Sequence, residues 1–323
     1  MTILDGKSLS LKIQDSLKLQ VSALSKKPKL VVILVGADAP SLAYVNMKAK
    51  ACENVGIIGE VLRFGEEVEE GKILHEIARL NADKSVNGIL VQLPLPKHFD
   101  TDKILESISP HKDVDGFHPI NVGRVQCGFD DGFDDGFGDN FDDDFTSGVD
   151  CKNSTLQNQN LKTDKINIQS LAQKVSFSPA TPLGIMKLLK AYNIELKGKN
   201  VAIIGASNIV GKPLAQLMLN AGATISICHI FTRDIGVFTR TADIVCVGVG
   251  KVNLITKEHI KEGAIIIDIG INRLDNGLLC GDVDFAEVSK KASFITPVPG
   301  GVGPMTIAAL LANTLKAYKI QNP

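Results

Sequence analysis

NVAIIGASNIVG, at residues 200–211, joins a short apolar run to a glycine-rich turn. The run at 200–204 is typical of a buried strand, and the segment from Lys212 onward is compatible with a helix. In such a strand–turn–helix unit, backbone N–H groups at the start of the helix bind a pyrophosphate. The spacing is GxSxxxG rather than GxGxxG, so the turn alone is a weak indication of a dinucleotide site.

Strand-like and helix-like segments alternate on both sides of this unit. Apolar runs follow it at 223–229, 243–250 and 264–271, and Thr181 with Pro182 is expected to start the helix that precedes it. Nearer the N-terminus, strand-like runs at 29–36, 60–64 and 88–93 alternate with helical patterns at 9–24, 41–56 and 73–80. The pattern and the length of 323 residues predict two α/β domains across a cleft, the second a Rossmann-like, doubly wound parallel sheet.

Residues 126–177 interrupt this alternation. The part at 128–145 nearly repeats GFDD and contains eight aspartates without a lysine or arginine, and the part at 154–173 is rich in Asn and Gln. We expect this acidic low-complexity insertion to be largely disordered, because it cannot bury enough apolar surface to offset its ordering entropy. Calcium binding is the alternative, but the spacing of an EF-hand loop is absent.

Charge and cysteine content narrow the class of protein. Without the eight negative charges of the insertion, the net charge of −1 becomes +7, which suits a binder of small anions but not a nucleic-acid-binding protein. Cys228 and Cys246 lie in apolar runs, so we expect buried free thiols and a reducing compartment. No signal pattern opens the chain and no apolar run approaches the ~18 residues of a membrane span. We therefore expect a cytoplasmic protein without a membrane or nucleic-acid partner.

The end of the second strand of the Rossmann-like unit bears on the choice of cofactor. NAD sites usually carry Asp or Glu there, which binds the ribose hydroxyl. Here the chain continues as His229, Ile230, Phe231, Thr232 and Arg233, with no acid to repel a ribose phosphate. His229 and Arg233 can attract one, so NADP is favoured over NAD, although His229 as a plain strand-end residue is the alternative.

Two polar groups in the first half are candidates for chemistry. Tyr44 and Lys48 are four residues apart and would share one face of a helix. Burial beside an apolar ring lowers the pKa of a lysine, which lets it shuttle protons near neutral pH. Gln92, in VQLPLP, lies at the carboxyl end of a buried strand, where it needs a hydrogen-bond partner such as Lys48. A solvent-facing lysine and a glutamine bonded only to local backbone are the plainer alternatives.

Two loops complete the set of candidates. Asp113 and Asp115 lie in a turn, DVDGF, where they would bind either a metal ion or an NH-rich heterocycle. No His or Cys cluster accompanies them. The loop PVPGGVGP at 297–304 is rigid and lets its backbone approach a ligand closely.

Together these motifs resemble one family, the bifunctional methylenetetrahydrofolate dehydrogenase/methenyltetrahydrofolate cyclohydrolases. The resemblance covers the chain outside 126–177, and the motifs occur in family order: YVNMKAKACENVGI, VQLPLP, KDVDGFHPINVGR, TPLGIMKLLK, GASNIVGKP, DIGINR, GDVDF and ITPVPGGVGPMT.

The resemblance implies a role for each matching residue. Lys48 would handle protons in the hydrolytic step, Gln92 would tune Lys48, Tyr44 would stack on the folate ring, and Asp115 would bind the pterin. The implied contacts to the cofactor are Gly205, Ala206, Ser207, Ile230 and Ile271, and those to folate and nicotinamide include Pro299, Gly300 and Gly303. Some members carry Arg at position 206 and Ser or Arg at position 230, so here NADP preference would depend on His229, Arg233 or backbone.

The family also implies an activity and an organisation. The enzyme would oxidise 5,10-methylenetetrahydrofolate with NADP and hydrolyse the product to 10-formyltetrahydrofolate, as a homodimer. Residues 1–125 with 301–323 would form the folate-binding domain, and residues 178–300 the NAD(P)-binding domain. Two rivals remain: a shikimate-type dehydrogenase, against which VQLPLP and PGGVGP argue, and a non-catalytic binding protein, against which Lys48, Gln92 and Asp115 argue.

Overall fold

The computed structural model describes residues 1–128 and 176–322, which form two parallel sheets, a short two-stranded antiparallel sheet and the helices around them. The strands are β1 (Thr2–Ile3), β2 (Lys29–Val35), β3 (Ile58–Phe64), β4 (Gly88–Val91), β5 (Asn200–Ile204), β6 (Thr224–Cys228), β7 (Ile244–Val247), β8 (Ile265–Asp268), β9 (Asn272–Arg273), β10 (Leu279–Cys280) and β11 (Phe294–Ile295). The helices are α1 (Gly6–Ser22), α2 (Ala39–Val55), α3 (Glu70–Ala82), α4 (Thr101–Glu106), α5 (Pro119–Gln126), α6 (Ala180–Ala191), α7 (Gly211–Asn220), α8 (Gly236–Thr239), α9 (Phe285–Val288) and α10 (Val302–Gln321).

The three-stranded sheet of the first half has the order β3-β2-β4, and all its pairs are parallel. The central strand β2 is buried on both faces, as its unbroken apolar sequence predicts. The chain passes from β2 to β3 on one side and then to β4 on the other side of β2, so the carboxyl ends of β2 and β4 form a switch point at which a parallel sheet binds ligands. The helix after β2 and the loop after β4 therefore meet at one edge of this sheet.

The six-stranded sheet has the order β1-β11-β8-β7-β5-β6, again with parallel pairs throughout. Strand β5 is followed by α7 and pairs with β6 on one side and β7 on the other. This reversal creates the switch point at which a doubly wound sheet binds its ligand. The predicted fold is confirmed, and Cys228 and Cys246 are buried free thiols as expected.

The C-terminal helix joins the two halves. Helix α10 is almost fully buried along its length and packs against α1, α6, α2, β2 and β4. Its N-terminus follows the Pro/Gly loop, so that the loop is held where the two sheets face each other. Within the described part of the chain, no helix is both long and apolar enough to cross a membrane.

Three local details differ from the sequence-based expectation. Helix α6 begins at Ala180 with Pro179 as its cap, so Thr181 is already helical and Pro182 lies in the first turn, where its missing N–H is not needed. The N-terminal residues 2–3 belong to the six-stranded sheet through β11, which had not been predicted. The ends of the predicted insertion belong to the folded body: Gln126 ends α5, and Ser176 and Phe177 are buried. Its remainder, 129–175, lies outside the described residues.

Candidate active site at the cleft

Lys48 and Gln92 are in direct contact. Lys48 lies on α2 and is 7% exposed, and its Nζ donates a hydrogen bond of 3.0 Å to Oε1 of Gln92. The Gln92 amide donates in turn to the carbonyl oxygen of Leu93 at 2.7 Å, which fixes the orientation of the side chain. The pairing expected from the sequence is therefore confirmed, and both plainer alternatives are excluded.

The electrostatic environment of Lys48 is set mainly by burial. Burial lowers the pKa of Lys48, while the nearby Asp115 carboxylate opposes that shift. The same two effects act in reverse on Asp115: burial raises its pKa to about 6, against the influence of Lys48, and Asp113 adds to the rise. An amine and a carboxyl group with pKa values displaced toward neutrality are suited to proton transfer.

Asp113 and Asp115 have different roles in their turn. Asp113 is 2% exposed and accepts hydrogen bonds from the N–H of Gly116 (3.1 Å), the N–H of His118 (2.8 Å) and Nδ2 of Asn121 (2.9 Å). Its carboxylate is therefore occupied in shaping the loop. Asp115 faces Lys48 instead, and among the described residues no cluster of three or more His, Cys, Asp or Glu could hold a metal ion.

The Pro/Gly loop brings the two sides of the cleft together at Gly303. A Cβ atom placed on Gly303 would lie 3.6 Å from the Tyr44 hydroxyl and 3.9 Å from Cδ1 of Ile271. Tyr44 is half-buried on α2, and Ile271 is 44% exposed after β8. Hence the residue expected at the folate ring and the one expected at the cofactor flank the same small space. Pro299 and Gly300 precede it, and Gly300 takes a φ of 107° that favours glycine.

The turn after β5 fits a dinucleotide. Gly205 has a φ of 119°, and a Cβ there would lie 2.8 Å from the carbonyl oxygen of Gly248. A Cβ on Gly211 would lie only 1.9 Å from the carbonyl oxygen of Gly205, so the helix starts as close to the turn as backbone allows. Ser207 Oγ accepts from the N–H groups of Val210 and Gly211 at 3.1 and 3.3 Å. The turn is therefore a tight, glycine-dependent connection from strand to helix, of the kind that binds a pyrophosphate in dinucleotide-binding folds.

The segment that follows β6 lies beside this turn, since the N–H of Gly205 donates to the carbonyl oxygen of Cys228 at 2.9 Å. His229 uses Nδ1 to accept from the N–H of Phe231, and only its other nitrogen is left to face a ligand. Arg233 is exposed, Ile230 is 91% exposed, and Ala206 is half-buried in the turn. The structure thus places His229 at the edge of the dinucleotide turn, and Arg233 follows four residues later on the same segment.

A pair of buried carboxylates behind the cleft was not predicted from the sequence. Asp268 and Asp282 are 4% and 0% exposed, and they accept hydrogen bonds mainly from backbone N–H groups of the surrounding loops. The sequence carries a signal for them, because Gly270 and Gly281 are packed so closely against these carboxylates that neither has room for a Cβ.

Comparison with known proteins places the chain in a family. Residues 4–115 match the catalytic domain, and residues 179–322 the NAD(P)-binding domain, of the tetrahydrofolate dehydrogenases/cyclohydrolases. The chain is 51% identical over 323 residues to the bifunctional protein FolD of Wolinella succinogenes, across 99% of this chain and 97% of that protein.

Solved structures agree with this placement. The bifunctional FolD dehydrogenase/cyclohydrolase of Campylobacter jejuni is 49% identical, with a TM-score of 0.83 and 99% of each chain covered. The Trypanosoma brucei methylenetetrahydrofolate dehydrogenase-cyclohydrolase, solved with NADP and an inhibitor, is 31% identical, with a TM-score of 0.82 over 99% of this chain and 98% of that one. The chain therefore belongs to the tetrahydrofolate dehydrogenase/cyclohydrolase family, whose catalytic and NAD(P)-binding domains it carries in that order.

Proposed function

We propose that this enzyme oxidises 5,10-methylenetetrahydrofolate with NADP and then hydrolyses the 5,10-methenyl product to 10-formyltetrahydrofolate in the same cleft. The observation that carries the proposal is the contact of the half-buried Gln92 with the buried Lys48, which is electrostatically coupled to Asp115. Tyr44, on the same helix as Lys48, faces Ile271 of the cofactor side across Gly303. Family membership in both domains supports it. When bound, NADP supplies the hydride acceptor for the first step.

Lys48 is proposed as the proton-transfer group of the hydrolytic step. Its neutral amine accepts a proton from the water whose oxygen bonds to the methenyl carbon, and this proton is then delivered to the ring nitrogen whose bond to that carbon breaks. The second proton of the water is released to solvent as the formyl C=O forms. Gln92 holds Nζ in place through the 3.0 Å hydrogen bond and thereby keeps the amine directed into the cleft. Burial favours the neutral amine that this step requires.

Asp115 and Tyr44 are proposed to hold the folate. The ionised carboxylate of Asp115 would accept hydrogen bonds from the N–H groups of the pterin, and the Tyr44 ring would stack on the aromatic part of the substrate. Tyr44 is half-buried, and its hydroxyl is next to Gly303, so its ring has a fixed position at the cleft. Pro299 and Gly300 would line the same pocket from the loop above.

Asp115 is expected to reduce stability at neutral pH. Its pKa is raised by burial from 3.8 to about 6, so its contribution to stability is fully present below pH ~4 and is lost as pH rises through ~6. Asp115→Asn should therefore raise the free energy of unfolding by about 1–3 kcal/mol at pH 8, and by about half as much at pH 5. The same variant should lose folate affinity, since the amide is uncharged.

Urea unfolding at both pH values measures this effect, with the exposed Asp15→Asn as the matched control. A variant at position 115 that is less stable than the wild type at pH 8 would show that the carboxylate stabilises the fold.

Cofactor choice is proposed to depend on Arg233 and His229 at the edge of the dinucleotide turn. A charge-assisted hydrogen bond is worth about 1.5–3 kcal/mol, so Arg233→Ala should reduce the preference for NADP over NAD roughly ten- to hundredfold. Ala206→Arg should increase it. Arg240→Ala is the control, because Arg240 is exposed nearby but pairs with Asp234 at 3.2 Å. If the ratio of kcat/KM values for the two cofactors is unchanged in Arg233→Ala, Arg233 does not bind the ribose phosphate of NADP.

We also propose the division into a folate domain, residues 1–125 with 301–323, and an NAD(P) domain, residues 178–300. Helix α10 packs on α1, α2, β2 and β4 of the folate side, which supports this assignment, but it also packs on α6, and the family's NAD(P)-binding domain extends over it. A cytoplasmic homodimer remains our expectation from the family resemblance. Light scattering on the purified protein tests the oligomeric state.

The experiment that tests the function is turnover of 5,10-methylenetetrahydrofolate with NADP, followed by the absorbance of the reduced cofactor. Shikimate is the control substrate. Turnover of the folate without turnover of shikimate is expected, and the reverse result would overturn the proposal.

A further inference from the structure

Asp282 holds the turn that follows β7. It is fully buried, and its Oδ2 accepts hydrogen bonds from the N–H groups of Val249 and Gly250 at 2.6 and 3.0 Å, while Oδ1 accepts from the N–H of Lys251 at 2.8 Å. One carboxylate therefore binds three consecutive backbone donors. Such a turn has little freedom to move, because each displacement leaves a buried N–H group without a hydrogen-bond partner.

The same carboxylate reaches the cleft through Asn272. Nδ2 of Asn272 donates to Oδ1 of Asp282 at 2.8 Å, and Asn272 follows Ile271 directly in the chain. Ile271 lies beside the space at Gly303 that Tyr44 borders from the other side. The position of Ile271 at the cleft is thus coupled to Asp282 through one hydrogen bond and one peptide unit.

The turn held by Asp282 also contacts the dinucleotide site. A Cβ on Gly205 would lie 2.8 Å from the Gly248 carbonyl oxygen and 3.2 Å from Cγ1 of Val249. The turn after β7 and the turn after β5 are therefore packed against each other at the switch point of the sheet.

Asp282 is itself held by the second carboxylate. Its backbone N–H donates to Oδ1 of Asp268 at 3.0 Å, and the N–H of Val283 donates to Oδ2 of Asp268 at 2.9 Å. A Cβ on Gly270 would lie 2.3 Å from Cγ of Asp282, so the carboxylate is closely enclosed. The arrangement is a packed buried network, and neither carboxylate lines the folate side of the cleft.

We propose that Asp282 is a positioning residue for hydride transfer, which places Ile271 and the turn at 248–251 against the nicotinamide half of the cofactor and takes no part in the hydrolytic step. The inference rests on the proposed function. It predicts that the two activities separate when the Asp282 contacts are weakened. Lys48 on α2 and Gln92 after β4 lie beside the three-stranded sheet, and their described hydrogen bonds do not involve this network.

Two variants test it. Asp282→Asn replaces an acceptor oxygen by an NH2 group, which leaves at least one of the three N–H groups unpaired, and Asn272→Ala removes only the link to Ile271. In both, kcat/KM for NADP and the NADP affinity by calorimetry should fall, by about ten- to hundredfold in Asp282→Asn and less in Asn272→Ala. Cyclohydrolase activity in the same preparation should stay within about twofold of wild type. Asp284→Asn, in the cap of α9, is the matched control and should change neither activity.

The outcomes are distinguishable. Loss of both activities in parallel in the two variants would show a purely structural role for Asp282, and unchanged NADP binding would show that the network does not reach the cofactor. If Asp282→Asn does not fold, the Asn272→Ala variant alone decides between these outcomes. In that variant Asp282 keeps its hydrogen bonds from all three backbone N–H groups. A wild-type enzyme inactive toward folate would instead refute the proposed function.

Discussion

Lys48→Ala is expected to abolish hydrolysis of 5,10-methenyltetrahydrofolate, with a loss of about 10²–10⁴-fold in rate, while NADP still binds. The reason is that Lys48 Nζ is the buried amine of the cleft, held by Gln92 at 3.0 Å and directed toward Asp115. Alanine removes the proton carrier and leaves the dinucleotide turn untouched. Decay of the methenyl absorbance measures hydrolysis, and calorimetry measures NADP binding.

Two further variants make this test sharper. Lys48→Arg keeps the charge but cannot release a proton, because the pKa of arginine exceeds ~12, so it should not restore hydrolysis. Lys50→Ala removes an exposed lysine two residues away on the same helix and should behave as wild type. Hydrolysis at the wild-type rate in Lys48→Ala would show that Lys48 transfers no proton in the hydrolytic step.

Gly211→Ala is expected to have the complementary effect, with NADP-dependent oxidation lost and hydrolysis retained. The added Cβ would lie 1.9 Å from the Gly205 carbonyl oxygen, a backbone atom that has to move by more than 1 Å to relieve the contact. A displacement of ~1 Å at a binding site costs about 10²-fold. We therefore expect NADP affinity to fall by about that factor, measured by calorimetry together with both activities.

The control for this variant is Gly71→Ala in α3, where a Cβ meets nothing within 4 Å. It should retain both activities and gain slight stability, since alanine suits a helix better than glycine. Wild-type affinity for NADP in Gly211→Ala would show that the turn after β5 does not bind the pyrophosphate.

The sequence predicts those helices and strands that can be identified from their own pattern of apolar residues. The apolar run of β2 and the spacing of Leu9, Ile13 and Leu17 in α1 reveal strand and helix because burial follows a fixed period. The Lys48–Gln92 contact is also expected from the sequence, since a glutamine at the end of a buried strand needs a hydrogen-bond partner.

Other features depend on contacts between distant segments, and local sequence does not reveal them. Strand β1 consists of two exposed residues, and only its pairing with β11, about 290 positions later, makes it part of a sheet. The Asp268–Asp282 network likewise joins loops that are not neighbours in sequence. The sequence indicates this network only indirectly, through the glycines at 270 and 281. The reason that these positions have no room for a side chain becomes apparent only when the positions of the two carboxylates are known.

The central claim is that one cleft performs both reactions. A single turnover of wild-type enzyme with 5,10-methylenetetrahydrofolate and NADP, followed by quenched-flow chromatography, tests it most directly. We predict that NADPH and 10-formyltetrahydrofolate form in equal amounts, with the methenyl compound present only as a transient that decays faster than in buffer. NADPH formation accompanied by methenyltetrahydrofolate that decays no faster than in buffer, or the absence of NADPH, would contradict the account.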